Sequence, residues 1–358
     1  MKLSFYKQDV LLYIAVFLLA GISLLSISSS RPALSITQSF WFLGAFFIMF
    51  ICARIDFRPL MSYRWVVFSL YFFALGLLIF AFFFAPVIRE TRSWIALGPI
   101  RFQPAEFSKV ALIILLAYFL SRRHSRIGHI SNVVVSFIYT LVPVLFILLQ
   151  PDWGSGLVFL GLWIGFLFVS GIRPRHLIIG FGITLVTAFI AWFFVLAPYQ
   201  KERIIGFFQP SYDPLGVNYS VIQSKIAIGS AGLWGKGFGQ GTQTQLGFLT
   251  EPATDFIFAA IVEEWGMLGG LLVVGAFVLL VGRIVMIGIR ARDPFSQFIC
   301  LGTAILFAVE FTLNVGSNIG FTPVVGVTFP FVSYGGSSLL TKAMLLGIVE
   351  SIARKSAF

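Results

Sequence analysis

Long apolar runs constrain the fold of this chain more than any other feature of its sequence. A run of about 20 apolar residues is long enough to cross the roughly 30 Å hydrocarbon core of a bilayer. Because hydrocarbon offers no hydrogen-bonding partners, a crossing segment must satisfy its own backbone groups, which favours helices. The sequence predicts ten spans, at about residues 11–29, 36–53, 65–85, 105–121, 133–149, 155–171, 177–197, 257–289, 297–316 and 331–352.

The composition agrees with an all-α polytopic membrane protein that forms a single domain over residues 1–358. Of the 358 residues, 58% are hydrophobic and only 11% are charged, which is too apolar for a soluble domain. The N-terminal run resembles a signal sequence, but the many spans that follow favour an uncleaved anchor. Cys52 and Cys300 have no metal-ligand spacing and fall near the predicted inner side, where no disulfide is expected.

The distribution of lysine and arginine predicts that both termini lie inside. With the N-terminus inside, fifteen of the 25 basic residues fall in inner segments, which hold only four acidic residues. This asymmetry accounts for the net charge of +11 without a nucleic-acid partner. The predicted topology is therefore N-in and C-in, with three notable outer segments at 86–105, 198–255 and 317–338.

The largest predicted outer segment, 198–255, connects the seventh and eighth spans. Connections of this length without regular structure are usually functional. The following run, 257–289, is too long for one straight span. Gly266, Gly269 and Gly270 predict that it starts as a short helix at the surface and crosses the membrane from about residue 267.

The sequence LTEPATDFIF (249–258) places Asp255, with Glu251 four residues upstream, at the start of the eighth apolar run. Asp255 and Thr254 are suitable caps for the free N–H groups of a helix start. Asp255 is equally suitable as a general base at the outer surface. All three histidines fall in predicted inner loops, so a carboxylate is the group left for proton transfer outside. Both interpretations remain open on the residues alone.

Glu106 and Lys109 lie at the start of the fourth span, just after Pro104. Residues three apart share one face of a helix. Ionisable side chains inside a span are costly and usually face a cavity or a partner. The pair is either a structural ion pair between packed helices or part of a polar cavity below the outer surface, with Arg101 at its rim.

Two further outer regions could bind phosphate. Arg89, Arg92 and Arg101 surround Trp94, and arginine binds phosphate well; contact with lipid headgroups is the alternative. The segment IAIGSAGLWGKGFGQGTQTQLGF (226–248) contains Lys236 among glycines whose backbone N–H groups could hold a phosphate. It is not a nucleotide-binding P-loop, and the alternative is a flexible surface loop.

Three remaining polar residues lie at or within spans. Asp152, in QPDWGSG, begins the sixth span and is suitable as a plain helix cap. Glu310 and Lys342 fall inside the ninth and tenth spans, where the sequence assigns neither of them a partner. No zinc site, haem ligand pair or nucleophile elbow is recognisable.

Five motifs occur in order along nearly the whole chain. They are RSWIALGPIRFQPAEFSK, QPDWGSG, YSVIQSKIAIGSAGLWGKGFGQGTQ, PATDFIFAAIVEEWG and NVGSNIGFTPVVGVTFPFVSYGGSS. This ordered set resembles the SEDS family (shape, elongation, division and sporulation). The short tails and the PVVG sequence resemble the rod-shape-determining branch of that family more than its division branch.

The resemblance implies a peptidoglycan glycosyltransferase in the bacterial cytoplasmic membrane. Its substrate would be lipid II, an undecaprenyl-pyrophosphate-linked disaccharide pentapeptide, and its partner a class B penicillin-binding protein transpeptidase. The essential aspartate of the family corresponds to Asp255. The substrate-binding residues implied by the family motifs, together with the two cations added from the outer segments, are Arg101, Glu106, Lys109, Trp94, Arg92 and Lys236.

The implied mechanism is a single displacement with inversion. Asp255 would deprotonate the 4-hydroxyl of the acceptor sugar, which attacks C1 of the donor. Arg101 and Lys109 would stabilise the departing pyrophosphate. No cofactor is required by the sequence, but a divalent cation, Mg²⁺ or Mn²⁺, could share that role, and Asp255 or Glu251 could help to hold it. Many members carry LPExHTDFIF; this chain has Ala253 in place of the histidine, which leaves Asp255 as the base.

Three alternatives to this function remain on the sequence. One is a lipid II flippase, because ten spans with intramembrane charges also suit a transporter. Another is a scaffold that only recruits and activates the transpeptidase. The last is the division or sporulation paralogue of the same family.

Overall fold

The structure is a computed structural model that describes most of the chain, the main gap lying between residues 171 and 198. The described residues are 9–86, 91–98, 100–122, 130–171, 175, 180, 182, 186, 189, 192–194, 198–209, 213–216 and 218–356.

Helices make up nearly all of the regular structure in the described residues, and one short hairpin accompanies them. The strands are β1 (Ile95–Leu97) and β2 (Ile100–Phe102), which pair antiparallel. The helices are α1 (Val10–Ser30), α2 (Pro32–Arg54), α3 (Phe57–Ser62), α4 (Arg64–Phe84), α5 (Pro104–Ser121), α6 (Ile130–Leu149), α7 (Trp153–Val169), α8 (Pro198–Phe208), α9 (Tyr219–Ser230), α10 (Thr242–Gln245), α11 (Ile257–Arg290), α12 (Pro294–Ile319) and α13 (Gly336–Ser356).

Eight of the described helices are long and apolar enough to cross a membrane, namely α1, α2, α4, α5, α6, α11, α12 and α13. The shorter helix α7 is also apolar. Nine of the ten predicted spans therefore coincide with an apolar helix, which confirms the all-α polytopic class. The predicted seventh span, 177–197, lies almost wholly outside the described residues.

The helices pack around α5 and α12. α12 contacts α5, α7 and α11, while α1 packs on α2 and α11, and α2 packs along α13. Nearly every side chain of α5 is buried, from Pro104 to Leu120. Helices at the periphery instead expose phenylalanines, such as Phe40, Phe72 and Phe84, as expected for a surface that faces lipid tails.

Residues of the predicted inner segments meet at one end of the bundle. Arg283, near the end of α11, forms an ion pair with Asp9 before α1. Lys355, at the end of α13, forms an ion pair with Asp56 between α2 and α3. This grouping agrees with the predicted separation of inner from outer segments. The side of the membrane that each end faces stays a prediction.

The kink predicted in the 257–289 run is present at Gly266, which has φ 73° and ψ −173°. The prediction that the segment before the kink lies at the membrane surface stays a prediction, but the segment is buried within the protein. Side chains from Ile257 to Glu264 are at most 8% exposed, because this segment is enclosed between α9 and α12.

Other differences concern the ends and connections of the predicted spans. The tenth span was predicted from residue 331, but α13 begins at Gly336, and 331–335 belong to an irregular segment. The hairpin and the short helices of 198–255 were not predicted. Each is short, and apolar periodicity carries little information over a few residues.

Candidate active site

Asp255 lies in the turn that precedes α11 and is half-buried. Its backbone carbonyl accepts hydrogen bonds from Nδ2 of Asn318 at 2.8 Å and from Nδ2 of Asn314 at 3.2 Å. These two asparagines lie four residues apart on α12, so they share one face of that helix. Two buried amides therefore fix the backbone of the turn.

The helix boundary does not place Asp255 at the N-cap of α11. That position is occupied by Phe256, which makes no side-chain cap hydrogen bond. The N–H of Ala259, in the first turn, instead donates to Oδ1 of Asn318 at 3.0 Å. A side chain of α12 thus satisfies a donor that a capping carboxylate would ordinarily accept.

Glu251 shapes the same turn through its backbone. Its φ of 48° is in the left-handed region, which is unfavourable for a residue other than glycine. Its carbonyl accepts from the N–H groups of Thr254 at 3.2 Å and Phe256 at 3.3 Å. The sequence alone assigned no function to Glu251. In the structure, its backbone carbonyl closes the turn that contains Asp255.

The segment between α12 and α13, residues 320–335, covers the turn and is called the return loop below. The N–H of Tyr334 donates to the carbonyl of Ala253 at 2.8 Å. The hydroxyl of Ser333 donates to the carbonyl of Thr254 at 2.6 Å. The two residues that precede Asp255 are therefore hydrogen-bonded to the return loop.

The return loop also passes directly beside the Asp255 carboxylate. A Cβ atom placed on Gly326 would lie 3.9 Å from Oδ2 of Asp255. Gly326 has a φ of 71°, a conformation that glycine adopts without strain. The loop is held there by Asn314, whose Nδ2 donates to the carbonyl of Val327 at 2.8 Å.

The start of α7 packs against the same part of the return loop. A Cβ on Gly154 would come within 2.0 Å of the Val325 carbonyl oxygen, so this approach requires glycine. Asp152 caps α7 by accepting from the N–H of Ser155 at 3.0 Å, which confirms its predicted role. Asp152 also accepts from Nε2 of Gln103 at 2.9 Å, which links α7 to the start of α5.

Glu106 and Lys109 belong to a buried array of four charged side chains. Nζ of Lys109 donates to Oε1 of Glu106 at 2.8 Å and to Oε1 of Glu310 at 2.6 Å. Nζ of Lys342 lies 3.0 Å from Oε2 of Glu310. All four residues are at most 6% exposed. The array joins α5, α12 and α13, and its two positive and two negative charges cancel.

This array supplies the partners that the sequence could not assign to Glu310 and Lys342. It also places Glu106 and Lys109 in a buried ion-paired arrangement between packed helices. Their predicted contact with substrate stays a prediction. The array shares helix α12 with the Asp255 turn. This helix carries Glu310 as well as Asn314 and Asn318, the two asparagines that bind the turn.

Arg101, Arg92 and Trp94 lie in or beside the hairpin that leads into α5. Arg101 of β2 pairs with Ala96 of β1 and is exposed, as is Arg92, whereas Trp94 is partly buried. Strand β2 contacts α13. Two exposed cations, Arg101 in the hairpin and Arg92 just before it, therefore precede the first turn of α5. Arg89, the other arginine of this group, lies outside the described residues.

Lys236 is paired with a buried acid that sequence reasoning missed. Its Nζ donates to Oε1 of Glu263 at 2.9 Å and to Oγ1 of Thr242 at 2.7 Å. Glu263 is fully buried and also accepts from the N–H groups of Gln243 at 2.8 Å and Thr244 at 3.0 Å. The glycine-rich segment is thus fastened to α11. Substrate contact by Lys236 stays a prediction.

The next residue, Glu264, is a second buried acid on α11. It accepts hydrogen bonds from Ser29 at the end of α1 and from Nε2 of Gln245 in α10. Two consecutive acids in an apolar run were a visible signal, because intramembrane charges usually have specific partners. The pair could have been predicted as an anchor for the outer segment.

The predicted divalent cation finds no set of protein ligands in the part of the chain that is described. No group of three or more histidine, cysteine, aspartate or glutamate side chains there could hold a metal ion. Mg²⁺ commonly keeps several waters and binds through one or two carboxylates and substrate phosphates. Any such ion would therefore have to take most of its ligands from substrate and water.

Comparison with known proteins identifies the family. Residues 2–357 match the family model FTSW_RODA_SPOVE, described as cell cycle protein. The peptidoglycan glycosyltransferase MrdB of Escherichia coli (strain K12) is 38% identical over 307 residues, which cover 85% of this chain and 81% of MrdB.

Two solved structures share the fold over 99% of both chains. One comes from work on the structural coordination of polymerization and crosslinking by a peptidoglycan synthase complex, with a TM-score of 0.85 and 30% identity. The other is the rod shape determining protein RodA of Thermus thermophilus, with a TM-score of 0.74 and 26% identity. The chain therefore belongs to the SEDS family, whose members include FtsW, RodA and SpoVE.

Proposed function

We propose that this protein is a peptidoglycan glycosyltransferase that polymerises lipid II at the outer face of the bacterial cytoplasmic membrane. The observation that carries the proposal is the position of Asp255. Its carboxylate stands in a turn whose backbone is bound by Asn314 and Asn318 on one side and by the return loop on the other. A general base requires such fixed geometry relative to its substrate.

In the proposed reaction, Asp255 accepts the proton of the 4-hydroxyl of the acceptor GlcNAc. The resulting oxygen forms a bond to C1 of the donor MurNAc as the bond from C1 to the pyrophosphate oxygen breaks. The lipid pyrophosphate leaves with that electron pair, and C1 inverts from α to β. Because this is one displacement, no covalent enzyme intermediate is needed.

The exposed arginines of the hairpin are suited to the leaving group. Arg92 and Arg101 would stabilise the charge that develops on the pyrophosphate, because electrostatic stabilisation is strongest where charge appears during the reaction. Trp94 would contact the substrate beside them. The undecaprenyl tails would lie along the apolar spans, which keeps both substrates in the plane of the membrane.

Polymerisation of purified lipid II, followed on gels, tests the role of Asp255. We expect Asp255→Ala to lower the rate about 10²–10⁴-fold, the usual contribution of a general base. Glu202→Gln is the matched control, since it removes an exposed acid of α8 in the same outer segment. A folded Asp255→Ala protein with wild-type activity would exclude the base assignment. Parallel reactions with EDTA test for the divalent cation.

We include a class B penicillin-binding protein transpeptidase as the partner in this proposal. It is supported by the similarity to a chain of a peptidoglycan synthase complex that coordinates polymerization and crosslinking. The polymerisation assay is therefore run with and without the cognate transpeptidase. A pure scaffold role predicts that Asp255→Ala has no effect once the complex is assembled.

Lipid II transport is the second candidate, and on the sequence it stayed open because of the intramembrane charges of Glu310 and Lys342. In the structure, Glu310 and Lys342 pair with each other, and Lys109 binds the second oxygen of Glu310. These charges therefore have partners within the protein, and their presence alone does not favour transport over polymerisation. Polymer formation in detergent, where no leaflets exist, separates polymerisation from transport.

The proposal assigns the enzyme to cell elongation and rod shape. The family model spans FtsW, RodA and SpoVE, so roles in division and in sporulation are the alternatives to this assignment. Expression in rod-shaped cells depleted of their own RodA tests the assignment. Recovery of rod shape supports elongation, whereas recovery of septa only in cells depleted of FtsW supports division.

A further inference from the structure

Glu310 and Lys342 are buried charges that the proposed reaction does not use. Glu310, on α12, is fully buried, and Lys342, on α13, is 2% exposed. Together with Lys109 and Glu106 they form the array described above. An ionisable residue inside a membrane protein is expensive to bury and usually has a specific purpose. Helix packing alone would be served as well by apolar side chains.

Lys342 differs from the other members of the array because it also reaches the return loop. Its Nζ donates to Oγ1 of Thr328 at 3.2 Å and contacts Oγ of Ser338. The hydroxyls of Thr328 and Ser338 are themselves 3.0 Å apart. One ammonium group thus joins α12, through Glu310, to α13 and to the return loop.

The bonded part of the return loop is the part that lies beside Asp255. Thr328 is two residues beyond Gly326, whose Cβ position would be 3.9 Å from Oδ2 of Asp255. The residue between them, Val327, accepts from Asn314, which also binds the Asp255 carbonyl. The segment 326–328 is therefore fixed from two sides, by an asparagine of α12 and by Lys342.

We propose that Lys342 is a positioning residue for the polymerisation reaction. Through Thr328, its ammonium fixes the return loop against the Asp255 carboxylate. Glu310 compensates the charge of Lys342, and the Lys109–Glu106 pair keeps the whole array neutral. This inference rests on the proposed function, since it gives Asp255 the role of the base.

The array allows charge balance to be separated from positioning. Lys342→Met leaves one uncompensated negative charge in the interior. The double variant Glu310→Gln with Lys342→Met restores neutrality through the remaining Glu106–Lys109 pair, but it still lacks the bond to Thr328. Thr328→Val removes the hydroxyl of the loop and leaves all four charges in place.

The full-length chain is assayed in detergent, with its transpeptidase, for kcat and KM with lipid II and for thermal unfolding. We expect Lys342→Met to be less stable, because a buried charge has lost its partner. The double variant should unfold near the wild-type temperature. Its kcat should nevertheless fall about 10–100-fold, the scale expected when a reacting group is misplaced, with KM unchanged. Thr328→Val should lower kcat in the same way.

Wild-type kcat in the double variant would overturn the proposal, because Lys342 would then only balance charge. A raised KM with unchanged kcat would also overturn it, since the array would then contact substrate. If the double variant does not fold, Thr328→Val tests the proposal instead. A wild-type kcat in that variant would also overturn the proposal. Failure of the proposed function is distinct, because the wild type would form no polymer or Asp255→Ala would retain activity.

Discussion

At the scale of single residues, the candidate base is positioned through its backbone. Asn314 and Asn318 bind the carbonyl of Asp255, and Asn318 also accepts from the first turn of α11. Sequence reasoning could find Asp255, because the predicted topology places it on the outer side, where no histidine is available, and because the family motif has its essential aspartate there. It could not find the asparagines as its supports, since they are about 60 residues away in the chain.

Asp56 is a charged residue at the other end of the molecule whose ionisation affects stability. Its partial burial favours the neutral form, but hydrogen bonds from Arg58 and Lys355 outweigh this effect and lower the pKa of its carboxyl to about 2. A pKa below that of the unfolded chain means that the carboxylate stabilises the fold above about pH 4. This contribution is lost as the pH falls towards 2.

We therefore expect Asp56→Asn to lower the unfolding temperature at neutral pH, where the ion pairs with Arg58 and Lys355 are intact. The difference from the wild type should shrink between about pH 4 and pH 2. Thermal unfolding of both purified proteins across this range provides the measurement. A difference that stays constant down to pH 2 would contradict the assigned role of Asp56.

At the scale of elements, the kink in α11 shapes the end of the bundle that carries the Asp255 turn. Gly266 breaks the helix so that a short buried segment carries Glu263 and Glu264, while α11 as a whole is long and apolar enough to cross a membrane. The segment that contains Lys236 lies at this break. The backbone N–H of Lys236 donates to the carbonyl of Glu263 at 3.0 Å. A continuous helix would use these backbone carbonyls for its own hydrogen bonds. At the kink they accept hydrogen bonds from the segment that contains Lys236.

Gly266→Ala should be strongly destabilising. Its φ of 73° is unfavourable for alanine, and the new Cβ would lie 2.2 Å from the carbonyl oxygen of Leu233. We expect a loss of about 2 kcal/mol or more, as is usual for a strained position combined with overlap. Gly275→Ala in the same helix is the control, because no atom lies within 4 Å of its Cβ position.

The control should be neutral or stabilising by up to about 1 kcal/mol, the helix preference of alanine over glycine. Thermal unfolding in detergent compares the two variants. Equal unfolding temperatures for Gly266→Ala and Gly275→Ala would show that the kink is not required for the folded state.

The elements that could be predicted are those with a long periodic or apolar signal. Nine spans and the kink at Gly266 follow from hydrophobicity and glycine alone. The return loop could not be predicted, because its course depends on hydrogen bonds from Asn314 and Ser333 to distant backbone groups. The partners of Glu310 and Lys342 were equally inaccessible, since they lie on three helices that meet only in the folded protein.

At the scale of the whole molecule, the bundle has two chemically different ends. One end carries the Asp9–Arg283 and Asp56–Lys355 pairs, and the other carries the Asp255 turn, the return loop and the buried acids of α11. The charge distribution predicts that the first end faces the cytoplasm. The proposed reaction requires the second end to face outward.

Cysteine labelling tests this orientation directly. Cys52 and Cys300 are buried and free, so both can be replaced by alanine to give a background without thiols. Leu246→Cys, at a position 68% exposed near the outer end, should react with an impermeant maleimide on intact spheroplasts. Tyr63→Cys, at a position 66% exposed near the other end, should react only after permeabilisation. The reverse labelling pattern would show that the topology is opposite to the predicted one.

The hydrogen bonds from Asn314 and Asn318 to the Asp255 carbonyl have a genetic consequence as well as a chemical one. Asn314 and Asn318 bind the main chain of Asp255, so these two contacts do not depend on which side chain that residue carries. Under the proposed role of Asp255 as the base, replacing its side chain would leave a folded but inactive copy of the protein. Such a copy would compete with the active protein for the same sites in the cell, so one mutant allele would weaken wall growth even beside a normal one.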